Sequence, residues 1–289
     1  MYDVIIIGAG PAGISSALYT KRAGLNVLVF YYGKSNLEKA EKIENYYGFI
    51  DGIDGKTLYE NGIKQAERLG VDVHCEEVIN IEKLQNFVVT TDRDKYESSA
   101  VIIATGNKKL RPNIKGIEEF DGKGISYCAI CDGFFYRKKR LVVIGNGKYA
   151  IHEAEYLNNI AGELTILSNG LEMEEKTDIP VIKDEIVEIK GDTKVREVIF
   201  KNGDKIDVDG IFIAIGQAGG SDFAKKIGIM LEGDDIAVDK NMQTNIEGLY
   251  SCGDVVGNLL QVSKAVHDGA EAGIAASKYV KNKKNNKEV

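Results

Sequence analysis

Two stretches of this chain share one grammar, and that repetition limits its architecture more than any other feature. DVIIIGAGPAGISSALYTKRAGLNVLVF, Asp3 to Phe30, runs from an apolar strand through a glycine turn into a helix stopped at Gly24, then into a second apolar strand. RLVVIGNGKYAIHEAEYLNNIAGELTIL, Arg140 to Leu167, repeats it, with its helix stopped near Gly162. Short apolar runs alternating with helical periodicity predict strand–helix–strand units, each one half of a nucleotide-binding fold. The buried runs VIIATG (Val101 to Gly106) and IFIAIG (Ile211 to Gly216) resemble each other and are expected to be the closing strands of the two halves.

The fold class that follows is α/β: two Rossmann-like, three-layer ββα nucleotide-binding domains, the second inserted in the first. The boundaries are expected near Arg111-Pro112 and Asp239-Lys240, giving a discontinuous first domain, 1–111 with 240–289, and an inserted domain, 112–239. QVSKAVHDGAEAGIAASKYV predicts an amphipathic helix that packs Val262, Ala265, Val266, Ala270, Ile274 and Ala275 back on the N-terminal half. The polar tail from Lys281 is expected to fray.

A length of 289 residues suffices for two cores, and 32 glycines with only 3 prolines mark tight turns in an ordered chain. With 37 basic against 44 acidic residues, a net charge of −7 argues against nucleic-acid binding. No apolar run approaches the ~18 residues of a membrane span, and Met1-Tyr2-Asp3 leads straight into a strand without a leader pattern. No membrane partner and a cytoplasmic location are therefore expected.

Gly8-Ala9-Gly10-Pro11-Ala12-Gly13 matches GxGxxG between a strand and a helix, the context that gives the motif its meaning. Gly8 permits the tight turn, Gly10 lets a pyrophosphate approach the backbone, and Gly13 lets helix and strand pack closely. The helix start at Pro11-Ala12 offers free N–H groups to the anion. The acid that should follow about 20 residues on, to hold a ribose hydroxyl, is replaced by Tyr31. Ribose recognition must then differ, by stacking or through Lys34 and Ser35.

SYCAICDGFFYRKKR, Ser126 to Arg140, sets Cys128 and Cys131 in a CxxC pattern with Asp132 adjacent. Zinc needs four ligands, and with 3 histidines and no second CxxC no metal site is expected. A structural disulfide would close too short a loop to stabilise much. A redox dithiol is favoured: one thiolate attacks a partner disulfide, the second resolves the mixed disulfide, and the carboxyl group moves protons. Cys75 and Cys252 are solitary and are expected to be buried small side chains.

GAGPAG, ENYYGF, ATG, SYCAICDGFFY, GNGKYA and SCGDVVGNLLQV, in this order, resemble the low-molecular-weight thioredoxin reductases over nearly the whole chain. The family's CATCD stands here as Cys128-Ala129-Ile130-Cys131-Asp132. That resemblance implies FAD along Gly8, Gly10 and Gly13, with Asn45, Thr105, Gly106, Gly253 and Asp254 around flavin, ribitol and pyrophosphate. It also implies Gln261 and Val262 at the flavin end, Leu260 standing where the family has arginine, and Val78 touching the adenine through its backbone. By the same resemblance Cys131 faces the flavin, Cys128 attacks thioredoxin, Asp132 is the acid and base, the inserted domain rotates between steps, and the assembly is a homodimer.

Family members that use NADPH carry GxGxxA in the inserted domain and arginines at the end of the next strand. Gly145, Gly147 and Ala150 keep the turn, but Ser168-Asn169-Gly170 follows, then Glu172, Glu174 and Glu175, so no side chain there clamps a 2′-phosphate. Between Leu167 and the next strand, from Val181, too few residues remain for more than a stub of helix. NADPH is not expected as donor. The degeneracy resembles the pyridine-nucleotide-independent branch, the ferredoxin-dependent flavin thioredoxin reductases, which implies reduced ferredoxin as donor and thioredoxin as acceptor. Docking an acidic ferredoxin would need a basic patch: Lys108, Lys109 and Arg111, or Arg137 to Arg140, or the tail. The alternatives are an NAD(P)H-dependent reductase with an atypical nucleotide site and a flavin-bound redox sensor.

Overall fold

The computed structural model describes residues 1–106, 112–127, 129–216, 219–233 and 235–286, and of Cys131 and Ser221 the backbone alone. The first repeat forms β1 (Tyr2–Ile7), α1 (Pro11–Arg22) and β2 (Val27–Tyr31), followed by α2 (Gly55–Arg68), β3 (Asp72–Cys75), β4 (Val78–Lys83), β5 (Phe87–Thr91) and β6 (Lys95–Ile103). The second repeat lies within β7 (Ile125–Ser126), α3 (Ala129–Asp132), β8 (Arg140–Ile144), α4 (Lys148–Asn158) and β9 (Glu163–Leu167). β10 (Val181–Ile182), β11 (Ile186–Gly191), β12 (Val195–Phe200), β13 (Lys205–Asp207) and β14 (Gly210–Ile213) follow. The chain ends in α5 (Gly220–Ile227), β15 (Leu231–Glu232), β16 (Asp235–Ile236), β17 (Leu249–Ser251) and α6 (Val262–Asn285).

Two compact units result, Met1–Lys108 with Gly219–Val289, and Lys109–Ala218. The second seam falls ahead of the expected Asp239-Lys240. The cause is α5, which packs on β4: Phe223 and Ala224 are fully buried, and Lys226 Nζ donates to the Ile79 carbonyl at 3.4 Å. Residues 219–239 therefore build the first unit rather than the insert.

In the first unit β3, β2, β1, β6 and β17 are parallel neighbours. β6 serves two layers. Its C-terminal part, from Ser98 to Ile103, pairs with β1, while Lys95 to Ser98 pair antiparallel with β5, which continues to β4. VIIATG is thus a central strand rather than a closing one. Helices α1 and α6 cover the parallel layer through a core of Val4, Ile6, Val29, Ile102, Ala272 and Ala276.

In α6 the buried face is Ala265, Gly269, Ala272, Gly273, Ala276 and Val280, whereas Ile274 is exposed. Small residues win because α1 lies so close: a Cβ on Gly269 would meet the Ala12 carbonyl oxygen at 2.1 Å, and one on Gly273 the Ser16 oxygen at 2.7 Å. The helix continues to Asn285 instead of fraying at Lys281, since Lys284 pairs with Asp3 at 2.7 Å and Lys283 Nζ donates to Asn86 Oδ1 at 3.3 Å.

The second unit holds a parallel sheet, β10-β9-β8-β14-β7, and an antiparallel one, β11-β12-β13. Val142, Ile144, Ile211 and Ile213 of the first pack with Ile186, Ile189, Val198 and Phe200 of the second. Between β9 and β10 there is no helix, and the crossover that length made short consists of turns alone. Among the described residues no helix is long and apolar enough to cross a membrane.

Candidate functional site

Register alignment brings three turns of the first unit to one level: Ile7 pairs with Ile103, and Ile103 with Ser251, so the turns after β1, β6 and β17 lie side by side. The first turn is shaped by glycine. Gly8 has φ +112°, and a Cβ there would meet the Ala104 oxygen at 2.2 Å; one on Gly13 would meet the Gly8 oxygen at 1.7 Å. Around Gly10 the opposite holds, with no atom within 4 Å of a Cβ built on it. Gly10 caps α1 without a side-chain hydrogen bond, Pro11 takes the first helical position, and the N–H groups of Ala12 and Gly13 have no acceptor within the helix. An open glycine before uncapped helix donors suits a pyrophosphate.

Thr105 and Gly106 close the β6 end, and Gly253 and Asp254 open the 3₁₀ turn after β17. Gly253 packs on the cradle, since a Cβ there would lie 2.7 Å from Ala12 Cβ. An ion pair that sequence reasoning missed fastens this turn. Lys264 and Asp268, both nearly buried, meet at 2.8 Å. Lys264 Nζ also donates to the carbonyls of Gly253 at 3.0 Å and Gly257 at 2.7 Å, while the Gly253 N–H donates to Asp268 Oδ2 at 3.3 Å. Burial pushes the Asp254 carboxyl above the usual range, with Lys264 opposing and Asp268 adding to the rise. The available signal was an i,i+4 Lys–Asp pair within a helix face of alanine and glycine.

Asn45 and Gln261, 216 positions apart, are joined by a hydrogen bond from Asn45 Nδ2 to Gln261 Oε1 at 2.8 Å, beside Val262 at the start of α6. Tyr31 ends β2 opposite Cys75 of β3. Burial, then Cys75, raises its phenol. Val78 is buried at the start of β4, separated from β3 by Glu76 and Glu77 alone. Cys252 is buried as expected, but Cys75 is exposed because β3 is an edge strand.

In the second unit Cys128 lies outside the described residues, and α3 carries Ala129 to Asp132. Asp132 Oδ2 accepts from Ser126 Oγ at 2.6 Å, so the carboxylate is oriented by the end of β7. The Ala129 N–H donates to Glu153 Oε2 of α4 at 2.8 Å. Phe134 and Phe135, just after the dithiol segment, are 68% and 76% exposed.

The second glycine turn keeps its packing role: a Cβ on Gly145 would meet the Ala214 oxygen at 2.1 Å. Its ligand role is taken by the chain itself. The Glu174 N–H donates to the Asn146 carbonyl at 3.0 Å, and Glu174 Oε2 lies 3.0 Å from a Cβ built on Gly147, the residue that caps α4. Lys148, first in α4, pairs with Glu175 at 3.2 Å, and Asn146 Nδ2 donates to the Glu172 carbonyl at 3.0 Å. Ser168 and Asn169 serve the crossover: Ser168 Oγ donates to the Leu171 carbonyl at 2.6 Å, and Asn169 Oδ1 accepts from the Ile186 N–H at 2.7 Å. A carboxylate thus stands where a pyrophosphate would approach the second glycine.

Residues 2–269 match the family model described as pyridine nucleotide-disulphide oxidoreductase. The thioredoxin reductase of Listeria innocua is 35% identical, with 97% of this chain and 94% of that protein covered. Among solved structures, the atypical thioredoxin reductase TRi from Desulfovibrio vulgaris Hildenborough is similar at TM-score 0.93 and 35% identity, covering 98% of this chain and 99% of that one. A ferredoxin-flavin thioredoxin reductase from Clostridium acetobutylicum is similar at TM-score 0.75 and 34% identity, covering 97% and 98%. With a glycine cradle in one unit, a dithiol segment in the other and this extent of similarity, the chain belongs to the pyridine nucleotide-disulphide oxidoreductases and, within them, to the thioredoxin reductases.

Proposed function

We propose that this chain is an FAD-dependent thioredoxin reductase that draws its electrons from reduced ferredoxin rather than from NADPH. One contrast carries the reading: the first glycine turn is open at Gly10, while at the second the Glu174 carboxylate stands against Gly147. An anion binds the first seat and is repelled from the second.

Bound FAD would supply a two-electron store that is filled one electron at a time and discharged into a disulfide. Gly8, Gly10, Pro11, Ala12 and Gly13 hold its pyrophosphate, with Thr105, Gly106, Gly253 and Asp254 beside them and Val78 and Tyr31 toward the adenine and ribose. Asn45, Gln261 and Val262 border the flavin. In the insert, Cys131 receives the electrons, Cys128 attacks thioredoxin, and Asp132, held by Ser126, exchanges the proton. The exposed Phe134 and Phe135 give thioredoxin apolar surface beside that dithiol.

Of the three basic candidates for the donor's dock, one loses a residue and one lies far off. Arg140 is paired with Asp207 at 3.1 Å and Asp209 at 3.2 Å. The tail follows α6, whose 24 residues put it roughly 36 Å from Gln261. Lys108, Lys109 and Arg111, which lie outside the described residues but follow Thr105-Gly106 in the chain, and the exposed Arg137, Lys138 and Lys139 are our candidates for the dock. The reading extends to a cytoplasmic homodimer, checked by sedimentation of the purified flavoprotein.

Anaerobic mixing tests the donor. Reduced ferredoxin is expected to bleach the flavin and generate thioredoxin thiols, with NADPH and NADH leaving both unchanged. Rapid bleaching by NADPH would sink the reading.

A further inference from the structure

Lys264 lies just beyond the last segment that carries the family resemblance, and its side chain has a full set of partners. Its Nζ meets Asp268 Oδ2 at 2.8 Å and donates to the carbonyls of Gly253 at 3.0 Å and Gly257 at 2.7 Å. Three acceptors match the three hydrogens of an ammonium, so the charged form is the one this geometry fits. The two carbonyls belong to the residues that open and follow the 3₁₀ turn Gly253–Val256. Both residues have positive φ, +81° and +70°, and both are wedged: a Cβ on Gly253 would lie 2.7 Å from Ala12 Cβ, and one on Gly257 2.2 Å from Asp235 Oδ2. One side chain thus ties both ends of the turn to α6. We propose that Lys264 is a positioning residue for FAD, a clamp that holds this turn against the start of α1 and slows release of the cofactor.

Ala12 connects the turn to the cofactor. It is the second residue of α1, and its N–H is one of the donors without an acceptor within the helix, next to the open Gly10. Gly253 bears on its side chain, while Gly269 of α6 faces its carbonyl, where a Cβ would stand 2.1 Å from the oxygen. The residue is held between the turn and α6, and Lys264 joins those two holders. Asp254, next in the turn, has its carboxyl pushed up by burial, a shift that Lys264 opposes. Hydrogen bonds from a charged donor are the strong ones, so even part of their loss, felt at the cradle, corresponds to about tenfold in affinity. This clamp is separable from the ion pair. Removing one partner of a buried pair leaves a charge without compensation, whereas replacing both by apolar side chains is often neutral for stability. The double replacement still takes the Lys264 donor from the turn carbonyls, so the two roles give different results.

The inference rests on FAD occupying the first glycine turn, and its test reads retention rather than turnover. Wild type, Lys264→Met and the double variant Lys264→Met/Asp268→Leu are loaded with FAD. The flavin absorbance left on each protein is followed by timed gel filtration, and Tm is taken in excess FAD. The single variant is expected to melt lower and to release FAD about tenfold faster. The double variant is expected to recover most of the Tm and still to release FAD about tenfold faster. Wild-type retention in the double variant overturns the inference, as does release that follows Tm across all of these proteins, since the pair would then act through folding alone. A double variant that does not accumulate as folded protein overturns it in the same way. Wild type that takes up no FAD would remove the cofactor reading first, and the inference with it.

Discussion

Cys252 and Cys75 show how far neighbours, rather than residue type, decide chemistry. Cys252 is buried behind the Gly253 turn, and burial, then Asp268, pushes its thiol up; Cys75 is exposed at the end of an edge strand. Iodoacetamide at pH 8 is therefore expected to label Cys75 in the native protein and Cys252 only after denaturation, as peptide masses would show. Sequence alone could not separate the two, because solitary cysteines look alike until strand order is known. The cradle glycines were readable for the opposite reason. Gly8 and Gly13 admit no Cβ, so the motif itself carries the geometry. Tyr31 was identified as the residue in the acid's place, but its contact with Cys75 arises from the β2–β3 register. The Ser126–Asp132 and Glu153–Ala129 bonds likewise join residues on different elements, and no local pattern announces them.

Among the elements, the α1–α6 crossing is the tightest constraint. Ser15 Oγ donates to the Val266 carbonyl at 2.7 Å, and Gly269 and Gly273 face the α1 backbone. Gly269→Ala would drive a methyl into the Ala12 carbonyl, an overpacking that typically costs ~1–3 kcal/mol. It should also displace the start of α1, so the purified variant is expected to carry less flavin by absorbance as well as a lower Tm. Full flavin content with unchanged Tm would show that the crossing can relax. A helix from Gln261 onward was evident from its periodicity, but its packing face was not: hydrophobicity points to Ile274, and only the proximity of α1 explains why glycine and alanine are inside. The missing helix after β9 followed from chain length alone, whereas the use of Ser168 and Asn169 in the turn required coordinates.

At the scale of the whole molecule, insertion of one half within the other was legible from the order of the repeats. The position of its second seam was not, because α5 joins the first unit through contacts with β4, distant in sequence. The first unit also concentrates groups that resist ionisation. Burial, reinforced at Tyr96 by Glu76 and at Tyr250 by Tyr279, holds both phenols up at about 12 against an ordinary 10.0, and Cys252 is raised from 9.0. These groups lose their protons more readily when unfolded, so their stabilisation is complete below about pH 9 and is lost as pH climbs toward 12. Urea midpoints are expected to be level between about pH 7 and 9 and to fall above that, each group contributing up to ~1.4 kcal/mol per pH unit.

The carboxylate at Gly147 has one further consequence, best expressed as competition. Glu174 is tethered by its own chain and by the Asn146 carbonyl, so its local concentration at the start of α4 does not depend on anything dissolved around it. Short tethers commonly give millimolar or higher effective concentrations. A free nucleotide must displace that resident before it can bind, and it arrives with the same sign of charge. With ferredoxin as the proposed donor, the reductase would thereby be insulated from swings in the NADPH pool, and its output would follow the supply of low-potential single electrons instead.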